Sequence, residues 1–182
     1  MLPDMLPGAQ LQDTLGRTGY AVMVDQLART AKYYLDRTMH ESRLSRMAYA
    51  GALARFDPDA SWQFYNAALR FDLDPATGGG AAEGIHLGTM AATLDVMQRL
   101  YLGLDATLDG LMLSPALPAV LPGTEMRLFY RNNALSLEWT GSELRLRSDP
   151  ANLGTTMVWH GGQPCALPPG AIETFQAAPK PA

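Results

Sequence analysis

The chain has 182 residues, of which 47% are hydrophobic and 18% are charged, and its formal net charge at pH 7 is −4. This length allows one domain with a substantial core or two small ones, and the weak negative charge gives no reason to expect nucleic acid or an anionic membrane surface as a partner. No run of about eighteen apolar residues is present, so a membrane span is not expected. The single cysteine, Cys165, excludes an internal disulfide, and with the absence of signal-peptide features it favours a cytoplasmic location.

Apolar residues in the first half of the chain recur at helical spacing. One helix is predicted over about residues 10–35, although Gly16 and Gly19 weaken its first turns. Pro58 lies where a helix can begin. The remaining helices are predicted over residues 43–55, 59–71 and about 84–102.

Short alternating segments separated by Pro, Gly and Asn dominate after about residue 105. Leu135, Leu137 and Trp139 alternate with Ser136 and Glu138, which is typical of a half-buried antiparallel strand. Strands are predicted over residues 111–113, 125–130, 134–139, 143–147 and 155–159. Turns are predicted at Asn132–Asn133 and Thr140–Ser142, and His160 is expected in a surface turn before two glycines.

The two patterns together predict an α+β chain with two parts. Residues 1–105 are expected to form helices, residues 106–176 a small antiparallel β-sandwich, and residues 177–182 a disordered tail. Cys165 is expected in a proline-rich loop without a nucleophilic role, since no basic neighbour accompanies it. The three histidines are scattered over separate elements and give no metal-ligand spacing, so no metal is expected.

The most informative stretch is residues 77–93, TGGGAAEGIHLGTMAAT. A loop with so few side chains lets a ligand approach the backbone, and the N–H groups at the following helix start suit an anion. Glu83 and His86 stand at this junction as an acceptor and a titratable donor. On residue types alone, the commoner alternative is a glycine-rich turn before a core helix, with His86 hydrogen-bonded and inert.

This stretch, continued as LDVMQRLYLGL, resembles the end of the catalytic barrel in glycoside hydrolase family 65. That family includes kojibiose, maltose, trehalose and nigerose phosphorylases and some related hydrolases. A second block, residues 33–45 with the sequence YYLDRTMHESRLS, resembles the family segment YYxxRTxHxSxLS. The resemblance implies that residues 1–105 are the terminal helices of an (α/α)6 barrel, followed by the family's C-terminal β-sandwich.

Such a fragment of a barrel would leave apolar helix faces exposed. The resemblance therefore implies a partner, which is either the missing N-terminal part of the barrel or a second copy of the chain, so that a homodimer is possible. The family acts with inversion on α-glucosidic disaccharides of the kojibiose, maltose or trehalose type. A general acid protonates the leaving oxygen while phosphate, or water activated by a carboxylate, attacks from the opposite face. Inorganic phosphate would be a co-substrate, and no cofactor is implied.

The resemblance also assigns site residues. His86 matches the family's phosphate-contacting histidine, and Ser42 matches the serine of a loop that lines the same pocket. With Glu83 as support, the implied phosphate- and substrate-binding residues are His40, Ser42, Arg43, Ser45, Gly84 and His86. The alternative role for Ser42 and Ser45 is N-capping of the helix that begins at Arg43.

Three features depart from the family or leave its mechanism incomplete. Arg43 replaces a common Ser or Thr, and it could clamp phosphate or block the pocket. Glu41 could be the general base of a hydrolase, or it could hold His40 or a helix N-terminus. No segment before Tyr33 matches the family's general-acid glutamate motif, so the isolated chain is expected to be inactive. The alternative function is a non-catalytic carbohydrate-binding or assembly module left by truncation.

Overall fold

The computed structural model describes residues 8–20, 24–39, 43–70, 84–121 and 123–176. The chain divides after Met97 into two compact units, an N-terminal helical unit and a C-terminal unit of strands. The mixed helix-and-sheet class predicted from the sequence is confirmed. The tail at 177–182 and the whole of the predicted glycine-rich loop before residue 84 lie outside the described residues. No described helix has the length and apolar character that crossing a membrane requires.

The N-terminal unit consists of α-helices, and the last of them continues into a π-helical segment that runs past Met97 into the C-terminal unit. Their bounds are α1 Gly8–Arg17, α2 Val24–Leu35, α3 Arg43–Leu53, α4 Pro58–Arg70 and α5 Leu87–Asp95, with the π-helix over Val96–Tyr101. The helix α3 packs against α2, α4 and α5. The predictions for α3 and α4 agree with the structure to within two residues.

The prediction of one helix over residues 10–35 is wrong, because the chain forms α1 and α2 instead. Gly19 adopts a φ of +86°, which glycine reaches without steric cost. The N–H of Tyr20 donates to the carbonyl of Leu15 at 2.9 Å, and that of Gly19 donates to Gly16 at 3.0 Å. This pair of hydrogen bonds is a Schellman motif, which satisfies the last carbonyls of α1 and ends the helix.

Small side chains allow α3 and α4 to approach closely. Ala50 and Ala68 are fully buried, and the Ser61 hydroxyl donates to the carbonyl of Ala50 across the two helices. The Asp57 carboxylate accepts the N–H of Ala60 at 3.0 Å and so caps α4, where Pro58 is the first helical residue. Burial also raises the pKa of the Tyr65 phenol.

The C-terminal unit contains two four-stranded sheets, ordered β1-β2-β6-β7 and β3-β4-β5-β8. The strands are β1 Leu104–Ala106, β2 Leu111–Leu113, β3 Thr124–Tyr130, β4 Asn133–Trp139, β5 Glu143–Ser148, β6 Thr156–His160, β7 Gln163–Leu167 and β8 Ile172–Gln176. The expectation of wholly antiparallel pairing is wrong at one place, because β2 and β6 run parallel. In β4 and β5, buried leucines alternate with more exposed polar residues, as the sequence predicted.

The hairpin between β3 and β4 turns one residue earlier than predicted. Tyr130 pairs with Asn133, which leaves Arg131 and Asn132 as the two turn residues with φ of +48° and +65°. These values are typical of a type I′ turn. Asn133 belongs to β4, and its Nδ2 donates to the Thr156 hydroxyl at 2.9 Å in the other sheet.

His160 lies at the predicted hairpin end, yet it is half-buried and connects the two sheets. Its Nδ1 lies 3.2 Å from the carbonyl oxygen of Leu113, and its Nε2 lies 3.0 Å from that of Gln176. Replacing His160 by Ala is expected to lower the free energy of unfolding by about 2 kcal/mol, because the imidazole N–H that one of these carbonyl oxygens accepts is lost together with the packing of the ring. Urea unfolding tests this against Thr174→Ala on exposed β8, and equal midpoints for the two variants would contradict it.

Candidate functional site

The backbone of the segment just before α5 is sterically accessible at Gly84. Gly84 has a φ of +91°, and no atom of the described residues lies within 4 Å of the position that a Cβ would take. His86 is the N-cap residue of α5, and its carbonyl accepts the N–H of Met90 at 3.0 Å. The imidazole is half-buried and does not cap the helix, so the first turn of α5 is not closed by that side chain.

The helix α3 carries the other site residues within the described part of the chain. Arg43 is its first residue and Ser45 its third, and the Ser45 side chain is half-buried. Ser45 therefore lies inside the helix, which is not the N-cap position that the alternative interpretation required. His40, Glu41, Ser42 and Glu83 lie outside the described residues.

Two residues of the second block fix the end of α2. Arg37 Nη1 donates to the carbonyl of Tyr33 at 3.1 Å, with the guanidinium carbon 3.8 Å from the centre of that ring. The Thr38 hydroxyl donates to the carbonyl of Tyr34 at 2.7 Å and also hydrogen-bonds the Tyr49 hydroxyl on α3. Sequence reasoning gave these residues no role, although they lie within the YYLDRTMHESRLS block.

The helices that begin with Arg43 and Leu87 pack against each other within the N-terminal unit. Thr93 is buried on α5, and its hydroxyl donates to the carbonyl of Met90 at 2.7 Å. Among the described residues, the structure therefore places the two helices assigned to one pocket side by side.

Large apolar side chains are exposed at several described positions of the N-terminal unit. They are Tyr20, Tyr33, Tyr34, Met39, Leu44, Ile85, Leu87 and Leu94. Three of them, Leu44, Ile85 and Leu87, belong by sequence to the start of α3 or of α5. Exposed apolar side chains in this number favour a surface that packs against another part of a protein.

Cys165 lies in strand β7, which corrects the expected loop. Burial and the nearby Glu173 carboxylate raise the pKa of its thiol.

Because a raised pKa leaves less thiolate, the pH–rate profile of iodoacetamide alkylation of Cys165 should have its midpoint above the ordinary thiol pKa. Because the thiol pKa is higher in the folded chain than in the unfolded chain, the free energy of unfolding falls as the pH rises above the ordinary thiol pKa. The substitution Glu173→Gln should move the midpoint down, and a midpoint below the ordinary value in the native chain would contradict the prediction.

Comparison with known proteins identifies the family. The chain matches the glycosyl hydrolase family 65 central catalytic domain over residues 4–95. It is 37% identical over 149 residues to a protein of Mycobacterium tuberculosis H37Rv named as an uncharacterized glycosyl hydrolase, covering 82% of this chain and 11% of that protein. It is 31% identical over 160 residues to trehalose 6-phosphate phosphorylase of Lactococcus lactis subsp. lactis, covering 74% of this chain and 21% of that protein.

A solved structure from the human microbiome, provisionally named kojibiose phosphorylase, has the same fold. The TM-score is 0.72 at 21% sequence identity, and the match covers 97% of this chain and 25% of that one. The chain thus spans between 11% and 25% of the length of these relatives. Because the catalytic-domain match covers half of it, the chain belongs to glycosyl hydrolase family 65.

Proposed function

We propose that this chain supplies the last helices of an (α/α)6 catalytic barrel and a C-terminal β-sandwich to an inverting family 65 enzyme. The match of the catalytic-domain family to residues 4–95 supports the helical assignment. Buried leucines of both four-stranded sheets, including Leu113, Leu137 and Leu146, support the sandwich, as does the hydrogen bond between Asn133 and Thr156. Aligned sheets with one buried face each are the usual components of a sandwich.

The partner of the helical unit is the rest of the barrel. The exposed apolar side chains near the starts of α3 and α5 support this, since a closed barrel would cover such faces. The relatives are also four or more times longer than the matched region. A second copy of the chain is the alternative partner, and it would give a homodimer.

The substrate is an α-glucosidic disaccharide of the kojibiose, maltose or trehalose type, and phosphate is the nucleophile. A phosphate oxygen attacks the anomeric carbon, the bond to the leaving sugar oxygen breaks, and that oxygen takes a proton from a general acid. Inversion at this carbon gives β-glucose 1-phosphate. The acid would come from the part of the barrel that this chain does not match.

The observation that carries the proposal is the geometry of Gly84 and His86. An open left-handed glycine is followed by a histidine whose side chain does not cap α5. Backbone N–H groups at a helix start and an imidazole are suitable donors for a phosphate oxygen. Ser42 and Arg43 would complete the nucleophile side of this pocket, together with His40 and Ser45.

A graft of this chain into the Lactococcus lactis relative, in place of the matched segment, tests the proposal. We expect the graft to release β-glucose 1-phosphate from trehalose 6-phosphate, the substrate in the recipient's name, or from one of the three disaccharides, and only when phosphate is present. The isolated chain should release none, because it has no matched general acid. Circular dichroism and a cooperative melt establish that the graft is folded. Glucose release without phosphate would instead identify a hydrolase with Glu41 as base, and a folded, inactive graft would contradict both readings.

A further inference from the structure

We propose that the C-terminal unit binds a neutral saccharide in a cleft at one end of its sheets, independently of the catalytic pocket. The cleft has a volume of about 430 Å³, within the range of about 300–1,000 Å³ that is common for ligand pockets. It is formed by the β1–β2 loop, the β3–β4 turn and the loop before β6. Its lining includes Asp109, Arg131, Asn132, Leu153, Thr155 and Met157.

Hydrogen bonds between the loops hold the walls of this cleft in place. The Tyr130 hydroxyl donates to the carbonyl of Thr107 at 3.1 Å, and Arg131 Nη2 donates to the carbonyls of Thr107 at 3.2 Å and Leu108 at 2.7 Å. Gly110 lies so close to the β6 backbone that a Cβ there would be 2.6 Å from the carbonyl oxygen of Met157. The cleft is therefore formed before any ligand arrives, which lowers the entropic cost of binding.

The turn that projects into the cleft has an unusual residue choice. Type I′ turns favour Asn and Gly, because both central residues need a positive φ. Asn132 fits this preference, but Arg131 takes a φ of +48° with a full side chain. Its guanidinium is fixed by the two bonds from Nη2, while Nη1 and Nε make no hydrogen bond to any described residue. The strained turn thus presents fixed donors at the rim of the cleft.

The remaining polar groups of the cleft are also available to a ligand. Within the described ranges, the side chains of Asp109, Asn132 and Thr155 make no hydrogen bond or ion pair, and all three are exposed. Together they offer acceptors and donors to hydroxyl groups. Leu153, which is fully exposed, and the partly exposed Met157 add apolar surface beside them.

This combination favours a neutral polyhydroxylated ligand over an anion. The carboxylate of Asp109 offsets the charge of Arg131, so the cleft has no net charge from these two lining residues to attract phosphate. A sugar ring presents hydroxyls that donate and accept around an apolar C–H face, which matches polar groups arranged beside Leu153 and Met157. The ligand class is therefore a neutral mono- or disaccharide.

The experiment is a titration of the full ¹⁵N-labelled chain with maltose, followed by backbone amide shifts. We expect saturable shifts at Asp109, Gly110, Asn132 and Gly154, with a dissociation constant in the millimolar range. Asn132→Gly keeps a residue suited to positive φ while removing the amide, and Asp109→Asn removes the carboxylate charge. Each variant should weaken binding about tenfold, because one hydrogen-bonding group is lost or altered.

The matched control is Glu125→Gln, an exposed carboxylate on β3 outside the cleft, which should leave the affinity unchanged. A dispersed spectrum shows that each variant is folded. The proposal is overturned if maltose gives no saturable shift at tens of millimolar, or if the shifts centre on Gly84–His86 instead. The proposal is also overturned if orthophosphate shifts the cleft amides and maltose does not. It is overturned as well if the cleft variants bind maltose with the affinity of the native chain. The catalytic assay of the graft does not enter this test.

Discussion

Gly103→Ala should lower the free energy of unfolding of the C-terminal unit by about 4 kcal/mol or more, enough to unfold many domains of this size. Gly103 has a φ of +64°, and a Cβ there would lie 2.1 Å from the carbonyl carbon and oxygen of Ser114. The backbone at Ser114 cannot move away easily, because two main-chain hydrogen bonds hold it. The N–H of Ser114 donates to the carbonyl of Gly103 at 2.9 Å, and the N–H of Ala116 donates to the carbonyl of Tyr101 at 2.8 Å. The added methyl group must therefore break main-chain hydrogen bonds or strain the turn.

Urea unfolding followed by tryptophan fluorescence measures this loss, because Trp139 and Trp159 both lie in the C-terminal unit. The control is Gly123→Ala, where no atom of the described residues lies within 4 Å of the added Cβ and φ lies outside the left-handed region. It should change the free energy of unfolding by less than about 0.5 kcal/mol, as at other open surface sites. Similar urea midpoints for the two variants would contradict the close approach of the Gly103 and Ser114 backbones.

The strands with regular alternation were predictable, but three of the four strands at the sheet edges were not. In β4 and β5 the period of two follows directly from one buried and one exposed face. The missed strands β1, β7 and β8 all lie at sheet edges, where fewer neighbours impose a pattern. Pro164 in β7 also lacks the N–H of a ladder donor, so the local sequence indicated a loop.

The candidate site was predictable only where the residues form a contiguous motif. The GIHLG run placed His86 at the start of a helix, and α5 begins at the next residue. The contact between Thr38 and Tyr49 joins two helices, and no local periodicity signals it. The cleft in the C-terminal unit brings Asp109, Asn132 and Thr155 together from three loops, so it depends on the strand topology, which the sequence pattern left open.

His86→Ala in the active graft should lower kcat/KM for phosphorolysis about a hundredfold, because a charge-assisted hydrogen bond to the bound phosphate is removed. The proposed pocket uses the imidazole and the first turn of α5 to hold phosphate, so most of the loss should appear as a higher KM for phosphate. His86→Asn keeps a neutral N–H donor at an N-cap position that asparagine favours, and it should recover part of the activity.

Initial rates at varied phosphate and fixed disaccharide separate this role from a structural one. Leu108→Ala is the control, because that side chain is 91% exposed in the C-terminal unit and should leave both constants unchanged. A His86→Ala graft with an unaltered melting temperature and a selectively raised KM for phosphate would place the imidazole on the nucleophile side. If the KM for phosphate is unchanged while stability falls, His86 only supports the start of α5, and the pocket must be sought elsewhere.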